Sequence, residues 1–239
     1  MAVLELNALS VPLSGSFSAT VIMPDCAQME NRKYPAFYFV HDVGGDDTDI
    51  RTVKNLQQLS NELGLFIIAP SLMHSFGMDL PWGGKYGDFL CRELPGICRH
   101  MFPLDPERQY IGGYNGGAYG AYWHAANHPD AFRKCVIIDG RFDVVHMCEA
   151  AANGAKVPHL TVANLEAVFG DLHAVAGSKF DILCDAAPRA EKVFFGCEED
   201  FPAMSDNTGF AEKLGTTVHV FRTEEQIYDA AMRWLLQDE

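Results

Sequence analysis

The chain has 239 residues, of which 48% are hydrophobic and 21% are charged, and its formal net charge is -14. This length suits one α/β domain with a full core, and the composition is ordinary for a soluble globular protein. Because so acidic a chain repels phosphate groups, we expect neither nucleic acid nor an anionic membrane as a partner.

Strand-like and helix-like segments alternate along the chain. The first strand, over residues 16–24, alternates roughly in period two and is predicted to lie at an edge of the sheet. Six further strands are predicted, and they cover residues 35–40, 65–70, 109–113, 135–139, 192–196 and 216–221. Four helices are predicted, and they cover residues 53–63, 86–101, 117–127 and 224–236. The first helix should end at Gly64, and Pro95 with Gly96 should kink or shorten the second.

Repeated strand–helix units with short connections predict an α/β fold with a mostly parallel central sheet and helices on both faces. Residues 140–188 are too many for a simple crossover between two strands. We expect them to form a small helical excursion over the carboxyl ends of the strands, where ligands bind in such sheets. No internal repeat or low-complexity linker divides the chain, so a single domain over residues 1–239 is predicted.

The cysteine pattern favours a reducing compartment. Seven cysteines are scattered along the chain, and none forms a C-x-x-C or C-x-x-H pair. This pattern is typical of free thiols and favours neither a disulfide framework nor a zinc site. Residues 1–13 lack a basic segment and contain Glu5, so no signal peptide is expected, and no apolar run approaches the length of a membrane span. We therefore expect a cytoplasmic protein without a metal or cofactor.

The most informative segment is 111–121, with the sequence IGGYNGGAYGA. It matches the nucleophile elbow of serine hydrolases, G-x-S-x-G, except that Asn115 stands at the position of the serine. In that motif the nucleophile sits on a sharp turn between a strand and a helix. The carboxamide of Asn is neither an acid nor a useful nucleophile at neutral pH. The segment thus predicts the architecture of a serine hydrolase without its central reagent.

Several further segments, taken together and in order, resemble the tributyrin esterase and esterase D group of α/β-hydrolases. This group includes S-formylglutathione hydrolases and acetyl and feruloyl esterases. The similar segments run nearly from end to end, and they cover residues 33–35, 41–45, 75–79, 86–89, 93–95, 128–132, 196–201 and 206–207. The resemblance implies the α/β-hydrolase fold and a family whose members use Ser, Asp and His in that chain order.

The resemblance assigns the triad positions as follows. Asn115 takes the place of the nucleophile, and Asp200 matches the acid. The family's histidine follows the last strand, yet no His follows Phe221 here. Counting back from Trp234 reaches His219, but this residue lies inside the predicted strand and is a doubtful base. We expect that the histidine loop has been lost.

The same resemblance predicts the oxyanion hole, whose backbone amides stabilise the developing negative charge of the reaction. Gly116 would supply one amide, and the loop from Asp42 to Gly45, through Val43 and Gly44, would supply the other. Asp42 stands where the family usually has Gly. A carboxylate at this position would oppose a developing oxyanion if it pointed inward.

Other interpretations of these residues stay open. Asn115 is structural if its role is to adopt the positive φ of the elbow, which Asn tolerates better than most residues. Deamidation of the Asn115–Gly116 pair would give a carboxylate nucleophile, which would still need a histidine to activate water. Cys197 lies near the acid position, but its flanking glutamates should raise its thiol pKa and argue against reactivity.

The histidines form no convincing ligand cluster in the sequence. His124 and His128 lie four residues apart, but no third ligand is near them along the chain. His41 is expected to support its loop by hydrogen bonding.

The leading hypothesis is an esterase-family homologue with a degenerate triad, that is, a pseudoenzyme. It would lack Ser-dependent ester hydrolysis and retain at most a pocket for a small acyl or ester ligand. One alternative is an active carboxylic-ester or thioester hydrolase with an unorthodox nucleophile and His219 as its base. Another is a non-enzymatic interaction or scaffold protein. A homo-oligomer is compatible with the sequence under each hypothesis.

Overall fold

The structure is a computed structural model that describes residues 2–28, 30–184 and 192–237. Its centre is one eight-stranded sheet with the strand order β1-β2-β4-β3-β5-β6-β7-β8. The strands are β1 (Ala2–Ser10), β2 (Gly15–Met23), β3 (Tyr34–Val40), β4 (Phe66–Pro70), β5 (Leu104–Tyr114), β6 (Lys134–Ile138), β7 (Val193–Glu198) and β8 (Val218–Phe221). The strands from β4 to β8 in this order are all parallel, and β1 and β2 are antiparallel to their neighbours. The predicted α/β-hydrolase fold is thereby confirmed.

Helices cover both faces of the sheet. They are α1 (Leu56–Leu63), α2 (Tyr86–Asp88), α3 (Leu94–Met101), α4 (Gly116–Asn127), α5 (Val144–Ala152), α6 (Val162–Phe169), α7 (Met204–Lys213) and α8 (Glu224–Leu235). The apolar faces of α1 and α8 pack on one side of the strands, in a smaller core layer. The larger layer on the other side includes side chains of α3 to α7. Alternate residues of each buried strand point into the two layers, as the period of two requires.

The prediction that residues 16–24 form an edge strand is wrong. The strand itself forms, as β2, but it pairs with β1 on one side and with β4 on the other. The edge position belongs to β1, which was not predicted. Its alternation of Leu4, Leu6 and Ala8 with polar residues was the available signal. Because one face of β1 is exposed, this alternation is the usual pattern of an edge strand.

Two predicted helix features are confirmed. Gly64 ends α1 in the left-handed conformation, with φ 62°. Pro95 lies in the first turn of α3, and a π-helical turn over Phe89–Glu93 separates α3 from α2. A proline lacks the N–H that a continuous helix would use, so the widened turn falls just before it.

The segment that follows β6 is mainly helical where the structure describes it. It contains α5, α6 and a 3-10 turn over Leu172–Ala174. Residues 185–188 of the predicted excursion lie outside the described residues. Helix α7 was not predicted, because its polar sequence, with Asp206, Asn207 and Gly209, does not show a helical apolar pattern. That residues 1–239 form a single domain stays a prediction. Every helix in the described ranges falls short of the length and apolar character needed to cross a bilayer.

Candidate active site at the elbow

The elbow predicted for residues 111–121 is present as a sharp turn between β5 and α4. Asn115 forms this turn with φ 53° and ψ -119°. Its backbone N–H donates to the carbonyl of Ile138 at 3.0 Å, and its own carbonyl accepts from Ala118 and Arg141, each at 3.2 Å. These bonds from three directions hold a conformation that a non-glycine residue rarely adopts.

Small residues let α4 pack close behind the turn. A Cβ atom on Gly117 would lie 2.3 Å from the carbonyl oxygens of Val40 and His41. A Cβ atom on Gly120 would lie 1.9 Å from the carbonyl oxygen of Phe76. Any side chain at either position would therefore push α4 away from the sheet or from the loop around Phe76.

The carboxylate of Asp42 points inward, against the start of α4. Its Oδ1 accepts a hydrogen bond from the backbone N–H of Gly116 at 2.9 Å. Its Oδ2 accepts from Nδ2 of Asn115 at 3.3 Å. The resemblance assigned the Gly116 N–H to the oxyanion hole, and in the structure this N–H donates to the negatively charged carboxylate of Asp42. Oδ1 of Asn115 is buried and makes no hydrogen bond within the described chain.

His41 holds the loop that carries Asp42, as the sequence predicted. The N–H of Leu72 donates to Nε2 of His41 at 2.8 Å, so Nε2 is unprotonated. Nδ1 then carries the proton and donates to the carbonyl oxygen of Asp42 at 2.6 Å. Burial lowers the pKa of His41, which favours this neutral imidazole. The position of Asp42 is thus fixed through its own backbone.

A cavity of about 380 Å³ lies beside the turn, and we call it the elbow cavity. It is bounded by the turn, by the loop after β3, by α5, by residues 157–160 and by the start of α7. Its lining residues are Asp42, Val43, Phe76, Asn115, Gly116, Arg141, Asp143, Val144, His146, Met147, Val157, Pro158, His159, Leu160, Ala203 and Asp206. Among the described residues, this lining contains no serine, threonine or cysteine.

His159 is a site residue that the sequence analysis did not identify. It lines the elbow cavity, and its ring packs on Gly44, where a Cβ atom would lie 2.5 Å from Cγ of the histidine. Its backbone has φ 61°, so the turn over residues 157–160 is itself strained. No local sequence pattern indicates this contact, because 115 residues separate the two partners.

A family model described as "Putative esterase" matches residues 12–147, which include the elbow and the loop of Asp42. The chain belongs to this esterase family. Residues 200 and 219 of the esterase-family chain lie outside the matched range. The resemblance to the esterase D group inferred from the sequence is confirmed.

The esterase-family chain is similar to several known proteins at low sequence identity. It is 22% identical to an acetyl esterase of Caldicellulosiruptor saccharolyticus over 223 residues, which is 87% of this chain and 84% of the relative. It is 27% identical to the S-formylglutathione hydrolase of Mus musculus over 148 residues, which is 52% of each protein. The solved structure of the fluorophosphonate-binding serine hydrolase F of Staphylococcus aureus has a TM-score of 0.84 at 20% identity, covering 99% of both chains. At this identity the structural likeness shows the fold.

The structure does not bring the other two predicted triad residues to the elbow cavity. Asp200 is exposed in the turn after β7 and lines neither this cavity nor a second, acidic cavity that adjoins it. His219 is an exposed residue of β8, and its ring stacks on Phe194 with centroids 5.0 Å apart. Phe194 belongs to the core layer of α1 and α8. Val43 lines the elbow cavity with Gly116, whereas Gly44 lines the neighbouring cavity.

Cys197 is fully buried in β7. Burial is the main reason why its thiol pKa rises to about 12, and the charge of Asp139 adds to the effect. The predicted direction is therefore confirmed, but the predicted cause, the flanking glutamates, is wrong. A thiol with this pKa is not a nucleophile at neutral pH.

The sequence shows no third ligand near His124 and His128 along the chain, but the fold brings one to them. Cys91 lies beside them, with one donor atom from each residue within 4.8 Å of the others. The sequence separation of 33 residues between Cys91 and His124 concealed this cluster. The expectation of no metal site rested on spacing along the chain and did not consider contacts between elements.

An acidic cavity of about 420 Å³ adjoins the elbow cavity and shares Asp42 and His159 with it. Its carboxylates are Asp42, Asp49, Asp139, Glu198 and Glu224, and its rings include Phe39, Tyr114 and Tyr228. No lysine or arginine of the described ranges lines it. Burial raises the pKa of Asp139 to about 6, although the Glu198 N–H donates to its Oδ1 at 2.9 Å and opposes the shift.

Asp139→Asn is expected to stabilise the protein at pH 8 and to change its stability little at pH 4. The pKa of Asp139 is about 6 in the folded protein and 3.8 as the ordinary value, so the folded state binds the extra proton between these values. Stability from this group is therefore lost as the pH rises through that window. The amide avoids this loss and keeps an acceptor for Glu198. We expect a gain in the free energy of unfolding of about 1–2 kcal/mol at pH 8, measured by urea denaturation. An equal gain at both pH values would contradict this account.

Proposed function

We propose that this esterase-family chain has lost Ser-dependent ester hydrolysis and binds a small acyl or ester compound in the elbow cavity. The observation that carries the proposal is the 2.9 Å hydrogen bond from the Gly116 N–H to the Asp42 carboxylate. In an ester hydrolase the corresponding amide must be free to receive the oxyanion of the tetrahedral intermediate. Here the Asp42 carboxylate of the protein itself accepts the hydrogen bond from that amide.

The energetic consequence of this contact is large for catalysis. Removing one oxyanion donor from a serine protease lowers kcat by about 10²–10³-fold. Asp42 both engages a donor and adds a charge of the same sign as the oxyanion. A substrate carbonyl at this position would have to displace the carboxylate before it could be polarised.

A hydroxyl or thiol nucleophile is also missing from the described lining of the cavity. With Asn115 at the turn and no hydroxyl or thiol in the described lining, the only nucleophiles available are carboxylates and imidazoles. The two oxygens of Asp42 are already engaged by Gly116 and Asn115. Asp200 and His219 lie elsewhere, so a Ser-Asp-His relay has no complete set of members here.

The cavity remains suited to binding. A volume of about 380 Å³ lies within the range of small-molecule sites. Apolar side chains such as Phe76, Val144 and Leu160 would pack against an acyl chain. Arg141 and His146 would donate hydrogen bonds to polar oxygens of the ligand. This mixture favours a short acyl compound with one polar group.

A hydrolase with an unorthodox mechanism is the second candidate, and the contact of His159 with Gly44 is the observation that favours it. An imidazole at this place could take a proton from water beside a ligand in the elbow cavity. This mechanism requires saturable turnover that is lost in His159→Gln.

The test is to incubate the native protein with p-nitrophenyl acetate and p-nitrophenyl butyrate, and to record its melting temperature with short-chain carboxylic acids and amides. We expect product release no faster than with heat-inactivated protein, and a melting temperature that rises with ligand concentration. Saturable turnover would overturn the loss of hydrolysis. A melting temperature that does not respond to any of these compounds would overturn the binding role.

A further inference from the structure

A second group of reactive side chains lies at the opposite end of α4 from the elbow. His124 lies nine positions after Asn115, which is roughly 14 Å along a helix axis. One possible metal-ligand atom from each of Cys91, His124 and His128 lies within 4.8 Å of the other two. They line a cavity of about 540 Å³ that shares no lining residue with the elbow cavity or the acidic cavity. We call these three residues the Cys–His cluster.

The donor atoms of Cys91 and His124 have the spacing of two ligands on one metal ion. Sγ of Cys91 lies 3.4 Å from Nδ1 of His124. In a tetrahedral zinc site with ordinary bond lengths, a sulfur and a nitrogen ligand lie about 3.6 Å apart. Only a small adjustment therefore separates the observed contact from joint coordination.

The other nitrogen of His124 is already held as in a metal site. Nε2 lies 2.8 Å from the carbonyl oxygen of Gly77 and must donate to it, because a carbonyl only accepts. Nδ1 is then unprotonated, and it faces Cys91 with a lone pair that could bind a metal ion. A metal-binding histidine usually donates its second N–H to a carbonyl or carboxylate, which fixes its ring and its tautomer.

The surroundings of His124 fix its ring in this place. The residue is 1% exposed. A Cβ atom on Gly87 would lie 2.9 Å from Cε1 of the ring, so only glycine leaves room for the imidazole there. Trp123 contacts the ring edge-on, with centroids 5.1 Å apart.

The remaining ligands come from places where the chain departs from regular helix. Cys91 lies in the π-helical turn over Phe89–Glu93, and such turns are frequent at functional sites. His128 is the residue that ends α4, and its ring stacks on that of His124 with centroids 5.6 Å apart. The two ring planes differ by only 22°, so the His128 ring must turn before both nitrogens can face one ion. His128 is only half-buried at a helix end, which leaves its ring room to turn.

We propose that the Cys–His cluster binds one Zn²⁺ ion. Thiolate and imidazole are the donors that zinc prefers, and three protein ligands would leave a fourth tetrahedral position for water or a ligand. Binding replaces the Cys91 S–H by a sulfur–zinc bond and releases one proton to solvent. The charged side chains that line the same cavity are Asp79 and Asp88 on one side of the balance and Lys85, Arg92 and Lys179 on the other, with Arg92 paired to Asp88 at 3.4 Å. The ligand atoms of the cluster, and not the charge of this lining, therefore favour the ion.

The proposal is tested with untagged, full-length protein by competition for Zn²⁺ against a chromophoric chelator and by absorption of the Co²⁺ form. We expect one equivalent of metal per chain and a thiolate-to-cobalt charge-transfer band. Cys91→Ser should abolish that band, and His128→Gln should weaken Zn²⁺ binding by more than tenfold. His100→Gln and Cys184→Ser, which alter exposed residues outside the cluster, should leave both signals unchanged.

Two results would overturn the site. One is the lack of stoichiometric Zn²⁺ or Co²⁺ binding by the folded native protein. The other is binding that survives in both Cys91→Ser and His128→Gln, which would identify adventitious binding by other side chains. Because Cys91 is buried, its variant is compared with the native protein by circular dichroism. The half-exposed His128 gives an independent variant if Cys91→Ser does not fold.

Discussion

Asn115→Ser is expected to give no measurable hydrolysis of p-nitrophenyl butyrate, although it introduces a hydroxyl at the elbow turn. The Asp42 carboxylate still engages the Gly116 N–H, and neither His219 nor Asp200 lies in the cavity. In a serine protease, loss of the catalytic base alone lowers kcat by about 10⁶-fold. Initial rates with this ester, and the intact mass of the protein after treatment with a fluorophosphonate, measure the outcome. We expect the mass to stay unchanged.

The double variant Asn115→Ser with Asp42→Gly is the matched comparison, because it also frees the Gly116 amide. It should exceed the single variant by at most the factor of about 10²–10³ that one oxyanion donor provides. Saturable turnover or a fluorophosphonate adduct in the single variant would mean that a base still reaches residue 115. In that case His159→Gln in the same background would identify or exclude His159 as that base.

Gly120→Ala is expected to lower the free energy of unfolding by about 3 kcal/mol or more, which is the upper part of the range for overpacking. The added Cβ atom would lie 1.9 Å from the carbonyl oxygen of Phe76, and backbone cannot rotate away as a side chain can. Either α4 or the loop around Phe76 must move. The denaturant midpoint and slope in urea measure the change.

Gly96→Ala in α3 is the control for this substitution. Gly96 is also a helical glycine, but a Cβ atom there would have no neighbour within 4 Å. Helix propensity alone should then raise the free energy of unfolding by up to about 1 kcal/mol. If both variants shift stability equally, α4 does not pack on Phe76 as tightly as its backbone distances require.

Much of the fold could be predicted because its signals are local. The apolar runs that became β3, β4 and β6 are continuous in sequence, and Gly64 marks the end of α1 by itself. The elbow was also a local pattern, since its closely spaced glycines around Asn115 are visible in one short segment. The sequence predicted that Asp42 would oppose an oxyanion if its carboxylate pointed inward. It could not predict that the carboxylate does point inward, because a sequence does not state the direction of a side chain.

The parts that could not be predicted depend on contacts between distant segments. His159 reaches Gly44 only because the segment after β6 folds back over the sheet. Cys91 meets His124 because a π-helical turn and the end of α4 lie side by side. The acid position was inferred from the resemblance, and the histidine position by counting back from Trp234. Counting along the chain does not fix which face of β8 presents His219.

The contact between Asp42 and Gly116 also affects the stability of the fold, and not only the chemistry of the site. A free amide at the start of a helix is an unsatisfied donor, which an active hydrolase must tolerate until substrate arrives. Here the Asp42 carboxylate caps α4 from a separate loop, and its negative charge also interacts favourably with the positive end of the helix dipole. Helix caps of this kind are worth about 1 kcal/mol. Under the proposed function, the residue that closes the site to esters would therefore also stabilise the fold.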